Sequence, residues 1–255
     1  MSDITLSDVG MMFDIGHRKI TALRGIDAVL PSGSFTALIG PSGCGKSTLL
    51  RLIADVLAPT SGEIRIGDHA PDAARKRHEI GFVFQDPTLL PWRSVVENIR
   101  LPVEVAGQPA ARQPEELVEL VGLKGFEQAR PAQLSGGMQQ RVAIARALAL
   151  SPKVLLMDEP FGALDEITRQ KMNIELLNIW RETGTTAVLV THSISEAVFM
   201  ADRVLVLSAN PGQVADRIDI DLPRPRALDL MQDPAFHAHE NAVRAALFSG
   251  ERTAA

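Results

Sequence analysis

Gly40-Pro41-Ser42-Gly43-Cys44-Gly45-Lys46-Ser47-Thr48 follows G-x-x-x-x-G-K-[S/T], the pattern of a loop that wraps the phosphates of a nucleoside triphosphate. Its surroundings agree. Ser34 to Ile39 reads as a short buried strand, and Lys46 to Val56 as a helix with Leu49, Leu50, Leu52 and Ile53 apolar. Glycines let successive backbone N–H groups turn inward, and the helix end behind them adds partial positive charge. Lys46 is placed to reach the β- and γ-phosphates, and Ser47 to offer its hydroxyl to Mg²⁺. At average glycine usage a chance match is expected roughly once per hundred chains of this length, and the strand–helix context lowers that further. The same positive helix end, with Lys46 nearby, is expected to favour the thiolate of Cys44.

The chain around this loop has 255 residues, enough for one or two domains with a sizeable core. Its net charge of −5 provides no global basic field, so no nucleic-acid partner is expected. Cys44 is the only cysteine, which rules out an intramolecular disulfide and fits a reducing compartment. The start, with Asp3 and Asp8, lacks a basic-then-apolar leader pattern. No apolar run approaches the ~18–20 residues that cross a bilayer, so a membrane role requires a partner.

Strand patterns are read at Ile4 to Val9, Ile20 to Leu30, Glu63 to Ile66 and Ile80 to Phe84. From Pro87 to Leu150 the pattern turns helical, with helices predicted at Val95 to Ile99, Glu115 to Val121 and Met138 to Leu150, broken at prolines including Pro102. Short apolar strands return at Val154 to Met157, Thr186 to Val190 and Val204 to Leu207, with a helix at Glu166 to Glu182 between the first two. The alternation predicts an α/β fold with a mostly parallel sheet, an antiparallel β region on the N-terminal side and a helical insertion. Residues 1–226 are read as one nucleotide-binding domain with a helical subdomain at about 87–150. Residues 227–255 are read as a C-terminal helical tail, with a helix from Pro234 to Phe248 and a frayed end.

Two further stretches carry chemistry. Val154-Leu155-Leu156-Met157-Asp158-Glu159 is an apolar strand ending in two acids. After a phosphate loop, Asp158 is the expected Mg²⁺ ligand, through water, and Glu159 the residue that polarises the attacking water. The alternative is two acids in a solvated turn, about as common where no phosphate loop precedes the strand. Leu134-Ser135-Gly136-Gly137-Met138-Gln139-Gln140-Arg141 is a Ser-Gly-Gly turn opening a helix, a second nest of N–H groups at a positive helix end. A bare turn of this kind usually does no more than cap its helix. One phosphate loop already contains the triphosphate, so a second such turn suggests nucleotide shared between two copies.

On these motifs the chain resembles the ATP-binding subunits of ABC transporters, from about Ile4 to Arg226. The Leu-Ser-Gly-Gly-x-Gln signature is highly specific to that family. The resemblance implies ATP and Mg²⁺ as cofactors and a head-to-tail homodimer. Two ATP molecules would lie at its interface, each between the P-loop of one copy and the signature residues Ser135, Gly136, Gly137 and Gln139 of the other. It implies that Gln85 is the Q-loop glutamine, contacting Mg²⁺ and water and sensing the γ-phosphate. Gly162-Ala163-Leu164-Asp165 is similar to the D-loop, where the family more often begins with Ser. His192 is similar to the switch histidine at the γ-phosphate. Phe13 is similar to the aromatic that stacks on adenine, where the family more often has Tyr, a residue this chain lacks. Without that resemblance Phe13 reads as an apolar loop residue beside Met11 and Met12. The residues expected to act in catalysis are thus Glu159, His192, Lys46 and Gln85.

The stretch Gln85 to Asn98, with its Leu-Leu-Pro-Trp at residues 89–92, resembles the nitrate, sulfonate and taurine importer group. So does Val204 to Gln213, followed by Asp221 to Arg226. This implies an ATPase subunit peripheral to the cytoplasmic face of the membrane. Its partners would be an integral-membrane permease and, indirectly, a solute-binding protein. Trp92, just past Gln85, is read as the anchor for the membrane subunit, against the alternative that it packs the helical insertion. A soluble ABC ATPase without transport is the competing class, though its common long insertions and tandem domains are not seen. A small-molecule P-loop kinase would lack the Ser135 turn and His192.

Overall fold

The computed structural model describes residues 2–16 and 18–252. Its contacts divide the chain into two compact units, one formed by residues up to Lys76 together with those from Thr186 on, the other by Arg77–Thr185.

In the first unit, β1 (Ile4–Ile15), β2 (Arg18–Leu30) and β4 (Ser61–Ile66) form an antiparallel sheet in the order β2-β1-β4. β2 alternates buried and exposed residues from Ile26 to Leu30, as a sheet with one covered face requires. β3 (Phe35–Ile39) is buried at all five positions and pairs in parallel with both β7 (Thr186–Val190) and β8 (Arg203–Leu207). β9 (Val214–Asp219) runs antiparallel beside β8. The helices are α1 (Lys46–Ile53), α2 (Pro71–Lys76), α7 (Ile194–Met200) and α8 (Pro234–Arg252).

The second unit contains β5 (Ile80–Val83) parallel to β6 (Val154–Asp158), with α3 (Val95–Ala106), α4 (Pro114–Leu120), α5 (Gly136–Leu148) and α6 (Glu166–Thr183). α5 is buried at Gly137, Gln140, Val142–Ala145 and Leu148, so apolar residues face nearly all round it. α3 and α4 pack on α5.

Several boundaries move from their sequence positions for local reasons. α1 ends at Ile53 rather than Val56, because Asp55 turns left-handed (φ 57°) and the N–H groups of Val56 and Leu57 fold back onto the Arg51 carbonyl. α3 runs through Pro102 to Ala106, where Gly107 (φ 61°) stops it. The proline removes one helical hydrogen bond. Burial of Val95, Val96 and Ile99 and a capping box between Ser94 and Glu97 outweigh that loss. α2, α7 and β9 were not read from the sequence. α2 and α7 are short, α7 is buried continuously from Glu196 to Met200, and β9 is a charged edge strand. The last helix extends to Arg252 and packs on α7, β8 and β9. The end expected to fray after Phe248 is helical as far as Arg252, and residues 253–255 lie outside the described residues.

Near this helix sits a buried cation. Arg226 donates to the carbonyls of Val198, Phe199 and Ala201 at 2.7–3.0 Å, and to Leu222 O at 3.4 Å, closing the C-terminal end of α7. Burial pushes its guanidinium down to about 10, so it remains charged at neutral pH. Next to it, Arg224 Nε donates to Asp202 Oδ1 at 2.8 Å, and Asp202 Oδ2 accepts the N–H of Phe35, the first residue of β3. Arg226→Ala leaves the buried carbonyls at the end of α7 unpaired. It is expected to lower stability by on the order of 3 kcal/mol in urea denaturation of the full chain. A loss under about 0.5 kcal/mol would show the cluster to be dispensable.

Candidate functional site

The first unit presents the phosphate loop between β3 and α1. Only glycine fits at three of its positions. A Cβ on Gly40 would lie 2.5 Å from Leu207 O and 2.7 Å from Cys44 Sγ, and Gly43 has φ 77°. Gly45, at φ 97°, would drive a Cβ to 2.5 Å from Leu23 Cδ2. Gly45 is also the N-cap of α1 and has no side chain to close it, so the helix end presents its field to an anion. Ser42 and Gly43 are exposed at the tip, whereas Pro41, Ser47 and Thr48 are half-buried. Lys46 is buried inside the curl, where Nζ donates to Gly40 O at 2.8 Å and Pro41 O at 3.0 Å. The loop is backed by Gly212, which exchanges backbone hydrogen bonds with β2 through Ala22 O and Arg24 N. A Cβ on Gly212 would overlap the Cys44 carbonyl.

Register places His192 on the same rim. Leu38 in β3 pairs with Val190 in β7, so two residues further along each strand come Gly40 and His192. The N–H of Thr191 donates to Leu38 O at 3.2 Å, and the exposed imidazole follows directly. Phe13 is half-buried on β1, opposite Ile20, and so is a strand residue rather than a loop residue.

The second unit repeats the device. Val83 in β5 pairs with Met157 in β6, so two residues on come Gln85 and Glu159. Both converge on Gly162, whose built Cβ would lie 3.4 Å from Glu159 Oε2 and 3.5 Å from Gln85 Nε2. Asp158 closes β6, half-buried like Glu159. Glu159 adopts a left-handed backbone (φ 46°), which is strained for a residue with a side chain, and its carbonyl accepts the Gly162 N–H at 3.1 Å. Asp165 caps α6, accepting from Thr168 N at 3.0 Å, and that hydrogen bond holds its carboxyl below the usual carboxylate range.

The signature residues open α5. Ser135 Oγ accepts from Met138 N at 3.3 Å, Gly136 is exposed and Gly137 is buried. Gln139 Nε2 donates to Pro131 O at 3.0 Å and Leu134 O at 3.3 Å, bracing the turn before the helix. Its neighbour Gln140, not singled out in the sequence, is buried and donates to Phe84 O at 3.1 Å, next to Gln85. A polar side chain on an otherwise buried helix was the available signal. Trp92 is 66% exposed, which excludes the packing role considered for it.

The donors available to a metal are oxygen atoms: the Ser47 hydroxyl, the Gln85 amide and the Asp158 carboxylate. No cluster of three or more His, Cys, Asp or Glu occurs among the described residues. Oxygen donors of this kind suit Mg²⁺, a hard cation that keeps several of its waters.

The ABC transporter family model matches residues 23–162. The chain belongs to the ABC transporter family. An aliphatic sulfonates import ATP-binding protein of Bacillus cereus is 44% identical over 225 residues, covering 88% of each chain. A taurine import ATP-binding protein of Yersinia pestis is 44% identical over 235 residues, covering 89% of this chain and 91% of that one. An uncharacterized ABC transporter ATP-binding protein of Methanocaldococcus jannaschii is 44% identical over 229 residues, covering 88% and 84%. Among solved structures, a dimeric ATP-binding cassette in a post-hydrolysis state, bound to ADP and Pi, superposes with a TM-score of 0.74. It is 35% identical and covers 86% of this chain and 100% of that one. The ABC protein described here is therefore an ATP-binding, ATP-hydrolysing cassette with the α/β fold expected of it. No helix among its described residues is long and apolar enough to cross a membrane.

One expectation is corrected. Burial pushes the Cys44 thiol up, and this outweighs the Lys46 ammonium 3.7 Å from its sulfur. The phosphate loop of this cassette thus holds a protonated, inert thiol. Alkylation of the native protein by iodoacetamide at neutral pH is expected to run at least about tenfold slower than that of a free thiol, and to recover in denaturant. Reaction at the free-thiol rate would contradict this burial.

Proposed function

We propose that this ABC protein is the ATPase subunit of a bacterial importer for a small anion or organic solute such as a sulfonate, taurine or nitrate. The observation that carries this is identity of 44%, over nearly nine-tenths of the chain, to cassettes named for sulfonate and taurine import. Two copies close head to tail around two ATP molecules. The dimeric cassette to which the chain is similar supports that arrangement.

In each site the β- and γ-phosphates lie against the N–H groups of residues 43–48. Lys46 exchanges the Gly40 and Pro41 carbonyls for phosphate oxygens, a charge-assisted contact that gains strength as charge develops in the transition state. Ser47, Gln85 and, through water, Asp158 would hold Mg²⁺, which neutralises charge on the phosphates when bound. Glu159 orients the attacking water and takes its proton as the new P–O bond forms. The bond from the γ-phosphorus to the bridging oxygen breaks, leaving ADP and phosphate. His192 donates to a γ-phosphate oxygen. Ser135, Gly136 and Gly137 of the second copy close the other side, with Gln139 and Asp165 shaping the two loops. Phe13 stacks on adenine.

The importer's permease docks at the loop bearing Trp92, on the cytoplasmic side of the membrane, and the solute-binding protein acts through the permease. ATP favours the closed dimer, and transport follows because the permease responds differently to the two states.

Two measurements test this reading. Glu159→Gln keeps the shape of the site and removes its base. Turnover is expected to fall by ~10²–10⁴ while ATP binding persists, and near-normal turnover would refute the assignment. Trp92→Ala removes an exposed anchor, so stability should change by no more than about 0.5 kcal/mol, while pull-down of the co-expressed permease is lost. Retained assembly would place docking elsewhere.

A further inference from the structure

The loop between Gln85 and α3 is more tightly held than an exposed nine-residue turn needs to be. Its first part is fastened by α5. Arg146 donates through Nη2 to Pro87 O at 2.6 Å and to Thr88 Oγ1 at 3.0 Å, and through Nη1 to Thr88 O at 2.9 Å. The guanidinium is partly withdrawn from water to make these bonds, and this burial lowers its affinity for the proton. Thr88, the residue it grips, has a left-handed backbone at φ 47°, costly for a β-branched residue. Thr88 N–H also donates to Asp86 Oδ1 at 2.9 Å. A strained residue persists only where its surroundings over-determine it, and here the surroundings are one arginine fork and one aspartate.

The same helix also touches the strand on the other side of Gln85. Gln140 donates to Phe84 O at 3.1 Å, and a Cβ on Gly81 would sit 2.6 Å from Ala147 O, so β5 and α5 meet backbone to backbone. At the far end of the loop Asn98 is wholly buried. Its Oδ1 accepts from Leu90 N at 2.8 Å, and its Nδ2 donates to Leu90 O, Arg93 O and Ser94 O at 2.9–3.2 Å. Both ends of the loop are thus pinned by side chains of flanking helices, and Trp92 stands exposed between the pins. Ser135 caps the start of α5, so one helix runs from the signature turn to the grip on Thr88.

We infer that Arg146 is a positioning residue that locks the Asp86–Thr88 turn to α5, so that movement of the signature helix and of Gln85 on ATP engagement is delivered to Trp92 without slack. This rests on the reading of the Trp92 loop as the permease contact. It adds the residue that makes the loop stiff and the strained turn on which the grip acts. A soft turn would let Gln85 respond to the γ-phosphate while Trp92 stayed in place.

The test uses the isolated subunit labelled with 5-fluorotryptophan. The two tryptophans, Trp92 and Trp180, give separate fluorine resonances, assigned by Trp92→Phe. MgATP is expected to shift the Trp92 resonance in the wild-type protein. In Arg146→Gln, with nucleotide saturation checked by a fluorescent ATP analogue, that shift is expected to fall by at least about half, and Arg146→Lys to recover part of it. A purely structural arginine would change the melting temperature and leave the shift per bound nucleotide intact. Thr88→Gly decides the matter if Arg146→Gln does not fold. Glycine adopts φ 47° freely along with much else, so the melting temperature should hold while the shift falls. No MgATP-dependent shift in the wild type, or an undiminished one in Arg146→Gln or Thr88→Gly, overturns the inference. Because no permease is present, these outcomes are independent of the Trp92→Ala assembly result.

Discussion

Parallel pairing holds the carboxyl ends of neighbouring strands level, and the chemistry of this cassette depends on that edge. The pairing of Leu38 with Val190 brings Gly40 and His192 to one rim, and the pairing of Val83 with Met157 does the same for Gln85 and Glu159. A shift of one residue in either ladder would carry these groups to the other face of their strands. The ladders are protected against slipping by burial on both sides. β3 and β7 have no exposed residue, and in β6 only the terminal Asp158 is less than fully buried. The polar residues thus gain their positions from apolar ones, since Val and Leu hold the register and the first residues beyond the strand carry the function.

At the phosphate loop the constraint becomes electrostatic. A loop that meets an anion with backbone N–H groups must curl tightly, which leaves no room for a Cβ at Gly40 and Gly45 and gives Gly43 a left-handed backbone. The curl also turns carbonyls toward Lys46, which binds two of them. The ammonium is thereby held within the loop by carbonyls, which compete with phosphate less than a carboxylate would. Its influence on Cys44 shows how short-ranged such a charge is when its neighbour is desolvated. At 3.7 Å it lowers the affinity of the thiol for its proton, and burial still prevails. Proximity alone favours the thiolate; depth of burial, which a linear motif does not encode, reverses the result.

Much of this was legible in the chain because glycine patterns and two-sided apolar runs have few structural solutions. Thr186 to Val190 was read with its observed limits, and Val154 to Met157 and Phe35 to Ile39 to within one residue. What escaped was of two kinds. Elements whose pattern is erased by burial or by length, such as α7 and α2, give no periodicity to read. Long-range polar contacts give no linear signal either. The Gly212 N–H donating to Ala22 O joins residues far apart in sequence, as does Arg146 reaching Thr88. The special backbone of Glu159 was likewise invisible, because only the three-dimensional turn after β6 requires it.

These hidden contacts share a property that bears on how an ATPase drives a partner. A partner can respond only to a difference between two states. That difference must be carried by parts that do not relax independently. Apolar contacts are poor at this alone, since a side chain can change rotamer at small cost. A guanidinium bonded at once to two successive carbonyls cannot drift without breaking several hydrogen bonds together. Apart from one bond of Arg146 to the Thr88 hydroxyl, Arg146, Gln140 and Asn98 spend their donors on backbone carbonyls of the segment from Phe84 to Ser94, not on carboxylates. Exposed ion pairs elsewhere in the chain, such as Lys124 with Glu119, are screened and can exchange for water. The polar contacts that fix geometry and those that only decorate the surface are thus distinguished by what accepts the hydrogen bond. For these three side chains most of the acceptors around the Trp92 loop are main-chain atoms, so the position of the backbone is itself what they hold.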